Sequence, residues 1–229
     1  MPQILKLMDE KTQFIRELQT RGCPACDHLV RTLDDYLAGF IAGFVDKNEV
    51  QDQYAAEDGF CPLHAWQLDQ WASRRGLARG YPKLLDRMAL VLSDHARSEK
   101  PVTGVAELIK GPPTCRICGL LRDEEGSYLN KVVLLLAAEE VKESYAHSQG
   151  FCLIHLYAVL KHPVAAETGR FLVARAALRF GEMARQMEIY TAKHDALPRH
   201  TLDRDEKDVV LRAMIHLYGA RRLQLQRSA

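Results

Sequence analysis

Residues 23–44 read CPACDHLVRTLDDYLAGFIAGF. A Cys-x-x-Cys pair opens the stretch, and Leu29, Leu33, Tyr36, Leu37, Phe40, Ile41 and Phe44 then recur at three- and four-residue steps. That period places them on one face of a helix. The same plan returns downstream, where Cys115-Arg-Ile-Cys118 is followed by Val132, Leu135 and Leu136. Further stripes run over Leu84, Leu85, Met88, Val91, Leu92 and His95, and over Leu172, Ala176, Phe180, Met183, Met187 and Tyr190. Pro163 is suited to start the second of these helices. A last helix is predicted after Asp203, with Glu206 completing a partial capping box. Val210, Ala213, Met214 and Leu217 share one of its sides, and Gly219 ends or interrupts it. No alternating strand pattern and no Asn-Gly or Asp-Gly hairpin between strand-like runs is present, so the predicted class is all-α: helical hairpins with long helices packing as a bundle.

All 6 cysteines belong to one repeated arrangement. Cys23 and Cys26 precede Gly59-Phe60-Cys61-Pro-Leu-His64; Cys115 and Cys118 precede Gly150-Phe151-Cys152-Leu-Ile-His155. The Cys-x-x-Cys pairs are offset by 92 residues and the Cys-x-x-His pairs by 91. Tyr36-Leu37 matches Tyr128-Leu129, Val50 matches Val141, and Tyr54 matches Tyr145. A duplicated unit of about 90 residues accounts for this. The expected divisions are 1–98 for the first repeat, 99–196 for the second, and 197–229 for a C-terminal helix on the bundle. The proline- and glycine-bearing stretch Arg97 to Pro113 reads as the linker, with a second break over Ala196 to Thr201.

Each copy carries three thiolates and one imidazole, the ligand count of a closed tetrahedral metal site. The simplest expectation is one ion per repeat: Cys23, Cys26, Cys61 and His64 in the first, and Cys115, Cys118, Cys152 and His155 in the second. In that arrangement a helix of about 18 residues runs out for ~27 Å and the chain returns through a turn and a shorter helix, clipped at its base by the ion. Helix starts at the cysteines favour thiolate. Gly59 and Gly150 supply the backbone bend, and Phe60 and Phe151 pack beside the ligands. Tyr54 and Tyr145 read mainly as helix packing, with a hydrogen bond behind a ligand as their other role. Trp66 and Trp71 are expected as core beneath the first site. His28, His95, His147, His162, His194, His200 and His216 lack a repeated context and read as structural or solvated.

Cys₃His suits Zn²⁺, giving two ions per chain. Two iron–sulfur clusters are the alternative for the same ligands. A negatively charged, fully liganded zinc is a poor activator of water, so hydrolysis is not expected. The N-terminus lacks a signal-peptide pattern and no apolar run reaches transmembrane length, so the expected compartment is the cytoplasm, where Cys-x-x-Cys pairs favour metal over disulfide.

Taken together, the Cys-x-x-Cys, the Gly-Phe-Cys-x-x-His and the helical end around Val209 to Gly219 resemble an uncharacterised prokaryotic family, a domain of unknown function with repeated CPxC and GFCxxH elements. The resemblance covers Cys23 to Gly219. It implies metal binding and brings no mechanism. The second copy departs from the pattern in lacking both prolines.

Lys plus Arg total 31 against 30 Asp plus Glu, a net charge of +1, which argues against a general nucleic-acid binder. There is no glycine-rich phosphate loop, nucleophile elbow or His-Glu-x-x-His helix. The acidic runs Asp34-Asp35, Asp123-Glu124-Glu125 and Glu139-Glu140 read as solvated surface. The leading function is a non-catalytic, zinc-stabilised helical protein acting on a protein partner or ligand through its surface, with self-association compatible. An iron–sulfur electron carrier or redox sensor comes second. A zinc-containing DNA-binding regulator, using Arg74, Arg75, Arg221, Arg222 and Arg227, comes third.

Overall fold

The computed structural model describes residues 2–98, 115–196 and 204–220, together with 102, 103, 105, 106 and 223. Among these residues there are eleven helices and no strand, so the chain is all-α. In order they are α1 (Pro2–Glu17), α2 (Pro24–Asp46), α3 (Asn48–Ala56), α4 (Pro62–Trp71), α5 (Arg74–Gly80), α6 (Pro82–Ala96), α7 (Arg116–Leu135), α8 (Glu139–Ala146), α9 (Leu153–Leu160), α10 (Ala166–Ala196) and α11 (Arg204–Tyr218). Proline opens α2, α4 and α6, where its missing N–H costs no helical hydrogen bond. The long helix begins at Ala166 rather than at Pro163. Most of the expected linker, the break beyond Ala196, the Asp203 cap and the arginines of the tail lie outside the described residues. Among the described residues, no helix is long and apolar enough to cross a membrane.

The two sequence copies fold as matching triplets of helices, α2–α3–α4 and α7–α8–α9. Each is a long helix, a short one, a Gly-Phe turn, and a helix opened by cysteine. The compact units, however, do not follow the sequence copies. One unit holds residues 1–30 and 125–229, and the other holds 31–124. The unit boundaries fall inside α2 and α7, whereas the expected divisions at 98 and 196 rest on the sequence copies.

In the unit of 31–124, Leu33, Leu37 and Phe44 of α2 are fully buried. Phe40, Phe44, Tyr54, Phe60 and Tyr81 form an aromatic cluster with ring centroids 4.9 to 5.9 Å apart. Apart from the stacked Phe40–Phe44 pair these contacts are edge-on or tilted, and aromatic pairs favour edge-to-face and offset-stacked arrangements. The α6 helix packs mainly on α3 and α5, so Leu84, Met88, Val91 and His95 are half-covered while Leu85 and Leu92 stay exposed. Trp66 and Trp71 are not core: Trp66 is 69% exposed and Trp71 is 42% exposed. The reason is the register of α4, whose inward face carries His64, Gln67 and Leu68; Trp66, two residues past His64, points the other way.

The other unit is built around Phe14 of α1 with Leu18 just past its end, Leu129 and Val132 of α7 with Leu136 just past its end, Val141 and Tyr145 of α8, Leu156 and Val159 of α9, and Leu172 of α10. His28 stacks on Tyr128 at 4.5 Å. Met183 on α10 meets Val209 and Ala213 on α11.

Candidate metal centres

Four short motifs converge on two points, and all four share one local geometry. The carbonyls of Cys23, Cys61, Cys115 and Cys152 accept the first helical hydrogen bonds, from Asp27, Ala65, Gly119 and Leu156. Each of these cysteines therefore caps a helix start, and the third residue of that helix is the second ligand: Cys26, His64, Cys118 or His155. Cap and third residue face the same side, so Cys-x-x-Cys and Cys-x-x-His are one chelating unit with a different final donor. The unpaired N–H groups of the first turn also stabilise thiolate; the His155 N–H donates to Cys152 Sγ at 3.5 Å.

The structure groups Cys23, Cys26, Cys152 and His155 at one point, and Cys61, His64, Cys115 and Cys118 at the other. All eight sequence-derived ligands come together, but the pairing expected within each repeat is wrong: the Cys-x-x-Cys of each copy meets the Cys-x-x-His of the other. Helix lengths give the reason. The 23 residues of α2 run out about 34 Å, while the 9 residues of α3 return only about 13 Å. Residues 57–59 then coil tightly, with N–H groups turned back to Gln53, Ala55 and Tyr54, and add little length. Cys61 therefore falls short of Cys23 and meets Cys115 and Cys118 at the start of α7. The 20-residue α7 and 8-residue α8 repeat this mismatch in the second copy.

Spacing within each group fits one small cation. At the first centre, His155 Nδ1 lies 3.4 Å from Cys23 Sγ, 3.4 Å from Cys26 Sγ and 3.2 Å from Cys152 Sγ, with Cys26 and Cys152 sulfurs 3.8 Å apart. At the second, His64 Nδ1 lies 3.2 Å from Cys61, 3.4 Å from Cys115 and 3.4 Å from Cys118, with Cys61 and Cys118 sulfurs 3.8 Å apart. A tetrahedron with Zn–S of about 2.3 Å and Zn–N of about 2.05 Å has edges of roughly 3.8 Å between sulfurs and 3.6 Å between sulfur and nitrogen. The observed edges match the first value and come within a few tenths of an ångström of the second. All six cysteines are free thiols, with no disulfide. Every ligand is buried except Cys118, which is partly so.

The surroundings hold these donors in place. Gly59 and Gly150 adopt φ of 77° and 74°, a left-handed bend that presents the following Phe-Cys, as expected. The Phe151 N–H donates to Tyr145 Oη at 3.2 Å, and Phe60 N–H bonds Tyr54 in the same way. The two tyrosines thus brace the loop before the cysteine rather than the ligand itself. Glu125 corrects its reading as solvated surface: its carboxylate lies 3.3 Å from His155 Nε2, the ring nitrogen opposite the ligand atom. Such a partner fixes ring orientation and raises ligand basicity. A signal for it existed, since Glu125 lies two helical turns beyond Cys118. Leu33 is its counterpart in the first copy. Gly219, at φ 81°, ends α11 and lets the Ala220 N–H donate to Cys26 Sγ at 3.4 Å. Nothing in the spacing of the motifs announced that contact.

Without a central cation these donors compete for protons. Burial pushes the Cys23 thiol well up, and the adjoining thiols Cys152 and Cys26 add to it. Burial likewise raises Cys118, to about 12, with the Cys115 charge beside it. Burial alone would raise Cys115 too, but the His64 ring and the Cys61 and Cys118 backbone hydrogen bonds outweigh it and hold that thiol at about 6. Hydrogen bonds from Cys23 and Cys26 keep Cys152 far below the ordinary thiol range. A divalent cation removes the conflict by favouring thiolate at all three sulfurs.

No family model, curated protein or solved structure matches this chain.

Proposed function

We propose that this is a zinc-stabilised, non-catalytic helical protein that works through its surface. The observation that carries the reading is the pair of inter-ligand distances, near 3.8 Å between sulfurs and 3.2–3.4 Å from sulfur to imidazole, repeated at both centres. Three thiolates and a neutral imidazole fill the coordination of Zn²⁺ and leave the centre with one net negative charge, so it offers no open position for substrate. Metal-coupled folding contributes on the order of 10 kcal/mol per site. That equals the whole stability of an ordinary domain. Because each ion ties a motif of one sequence copy to a motif of the other, zinc serves as a long-range clasp within each compact unit.

The sulfur spacing favours a single ion over a 4Fe–4S cluster, in which each ligand binds a different iron and the thiolates stand apart by the width of the cluster. The DNA-binding reading draws little support from a net charge of +1, and the tail arginines lie outside the described residues. Elemental analysis with an absorption spectrum of anaerobically purified protein tests the proposal. The expected result is two zinc ions per chain and no visible colour, with loss of helicity on chelation. Brown protein containing iron and labile sulfide would overturn it, as would unchanged helicity after complete removal of the metal.

A further inference from the structure

The C-terminal helix α11 buries two polar side chains, Arg212 and His216, and leaves a row of apolar ones outside. Its inward side holds Val209, Arg212, Ala213 and His216, each under 9% exposed. Arg212 donates to Asp208 at 2.9 Å and to Gln186 at 2.9 Å, and His216 Nε2 meets the Gln149 carbonyl at 3.0 Å. These bonds fix the rotation of the helix. Its outward side holds Val210, Leu211, Met214, Leu217 and Tyr218, each between 38% and 66% exposed. The sequence stripe of Val210, Ala213, Met214 and Leu217 is therefore split: Ala213 goes in and the others go out.

At 100° per residue the five outward side chains occupy an arc of about 120°. Their steps of three and four residues are those of a helix–helix seam. Turning the helix to bury them would strand Arg212 and His216 without partners, so the fold itself keeps the stripe outside.

We propose that this stripe is the seam of a homodimer, with α11 of two copies packed antiparallel. The charge of the segment makes it complementary to itself in that orientation. In the sequence, residues 203–207 carry Asp203, Asp205 and Glu206 against Arg204 and Lys207, and Arg221 and Arg222 come after the helix, while Asp208 is already held within the chain by Arg21 and Arg212 at 2.8 and 2.9 Å. In an antiparallel pair the acidic start of one copy faces the basic end of the other, and the opposed helix dipoles add to the attraction. A two-fold axis places the same patch on both partners, which a self-complementary surface requires. Fifteen residues give a seam of only about 22 Å. The interface therefore belongs to the small class, and the dimer is a concentration-dependent one.

Sedimentation equilibrium of the full-length, metal-loaded protein over a wide concentration range tests this. The wild type is expected to pass from monomer to dimer, and Met214→Asp to weaken that association on the order of 100-fold. Leu211→Asp should act similarly, and Arg221→Glu with Arg222→Glu should weaken it with a smaller effect at high salt. All of these variants should keep their metal content and helicity, since the stripe is outside the core. A wild type that stays monomeric at every concentration, with the stripe covered by another part of the chain or serving a different protein, would overturn the proposal. So would a dimer unaffected by Met214→Asp and Leu211→Asp. Metal content and oligomeric state are separate readouts, so failure of this proposal is distinguishable from failure of the zinc reading.

Discussion

Exchange of the ligand pairs between sequence copies can be tested by counting ions in double variants. Cys26→Ala and Cys152→Ala remove two donors of one centre, whose sulfurs are 3.8 Å apart. Either substitution alone forfeits that ion, which contributes on the order of 10 kcal/mol. The second then has no ion left to lose, so the coupling between the two is as large as either single effect. The double variant should retain one zinc per chain, held by Cys61, His64, Cys115 and Cys118. Cys26→Ala with Cys61→Ala instead damages both centres and should retain none. Metal analysis of the purified variants reads the difference directly, and hydrogen exchange locates it. In Cys26→Ala with Cys152→Ala, protection should fall in residues 8–30 and 125–196 and persist in 31–96. If each repeat closed on its own ion, the stoichiometries would be reversed: zero zinc for the first pair of substitutions and one for the second. That result would refute the argument from helix lengths.

Gly150→Ala places a β-carbon 3.0 Å from Tyr145 Oη at a backbone φ of 74°. The left-handed conformation alone costs about 1–2 kcal/mol, so thermal melting of the metal-loaded protein should drop by several degrees at about 2–4 °C per kcal/mol. Gly59→Ala should behave alike, since its β-carbon would meet Leu84 at 3.0 Å and Tyr54 Oη at 3.2 Å. Glu125→Leu, which installs the residue of the other copy, should weaken the first centre 10- to 100-fold in chelator competition, roughly the effect of losing such a carboxylate partner, and leave the second unchanged. Arg212→Met leaves Gln149 and Gln186 without their guanidinium partner and should cost about 2–3 kcal/mol. Early loss of amide protection in α11 would report it.

Much of the helical architecture could be read from the chain. The stripe of α2 was legible because Leu29, Leu33, Leu37 and Phe44 are all fully buried. The stripe of α10 likewise packs through Leu172 and Met183. Trp66 was misread because size suggests core, whereas the register of α4 is set by His64 and Leu68. Glu125 was misread because its neighbours Asp123 and Glu124 made it look like part of a charged surface run.

The sequence alone determined which eight side chains gather as two candidate ligand groups and how each pair is presented, because cap-to-third-residue geometry is local and repeats wherever a cysteine opens a helix. It could not determine which pair closes on which. All four chelating units have the same shape, so nothing in their chemistry distinguishes one partner from another. That choice was made by distance: short return helices leave Cys61 and Cys152 far from the cysteines that open their own hairpins, and the tertiary fold brings in those of the other copy.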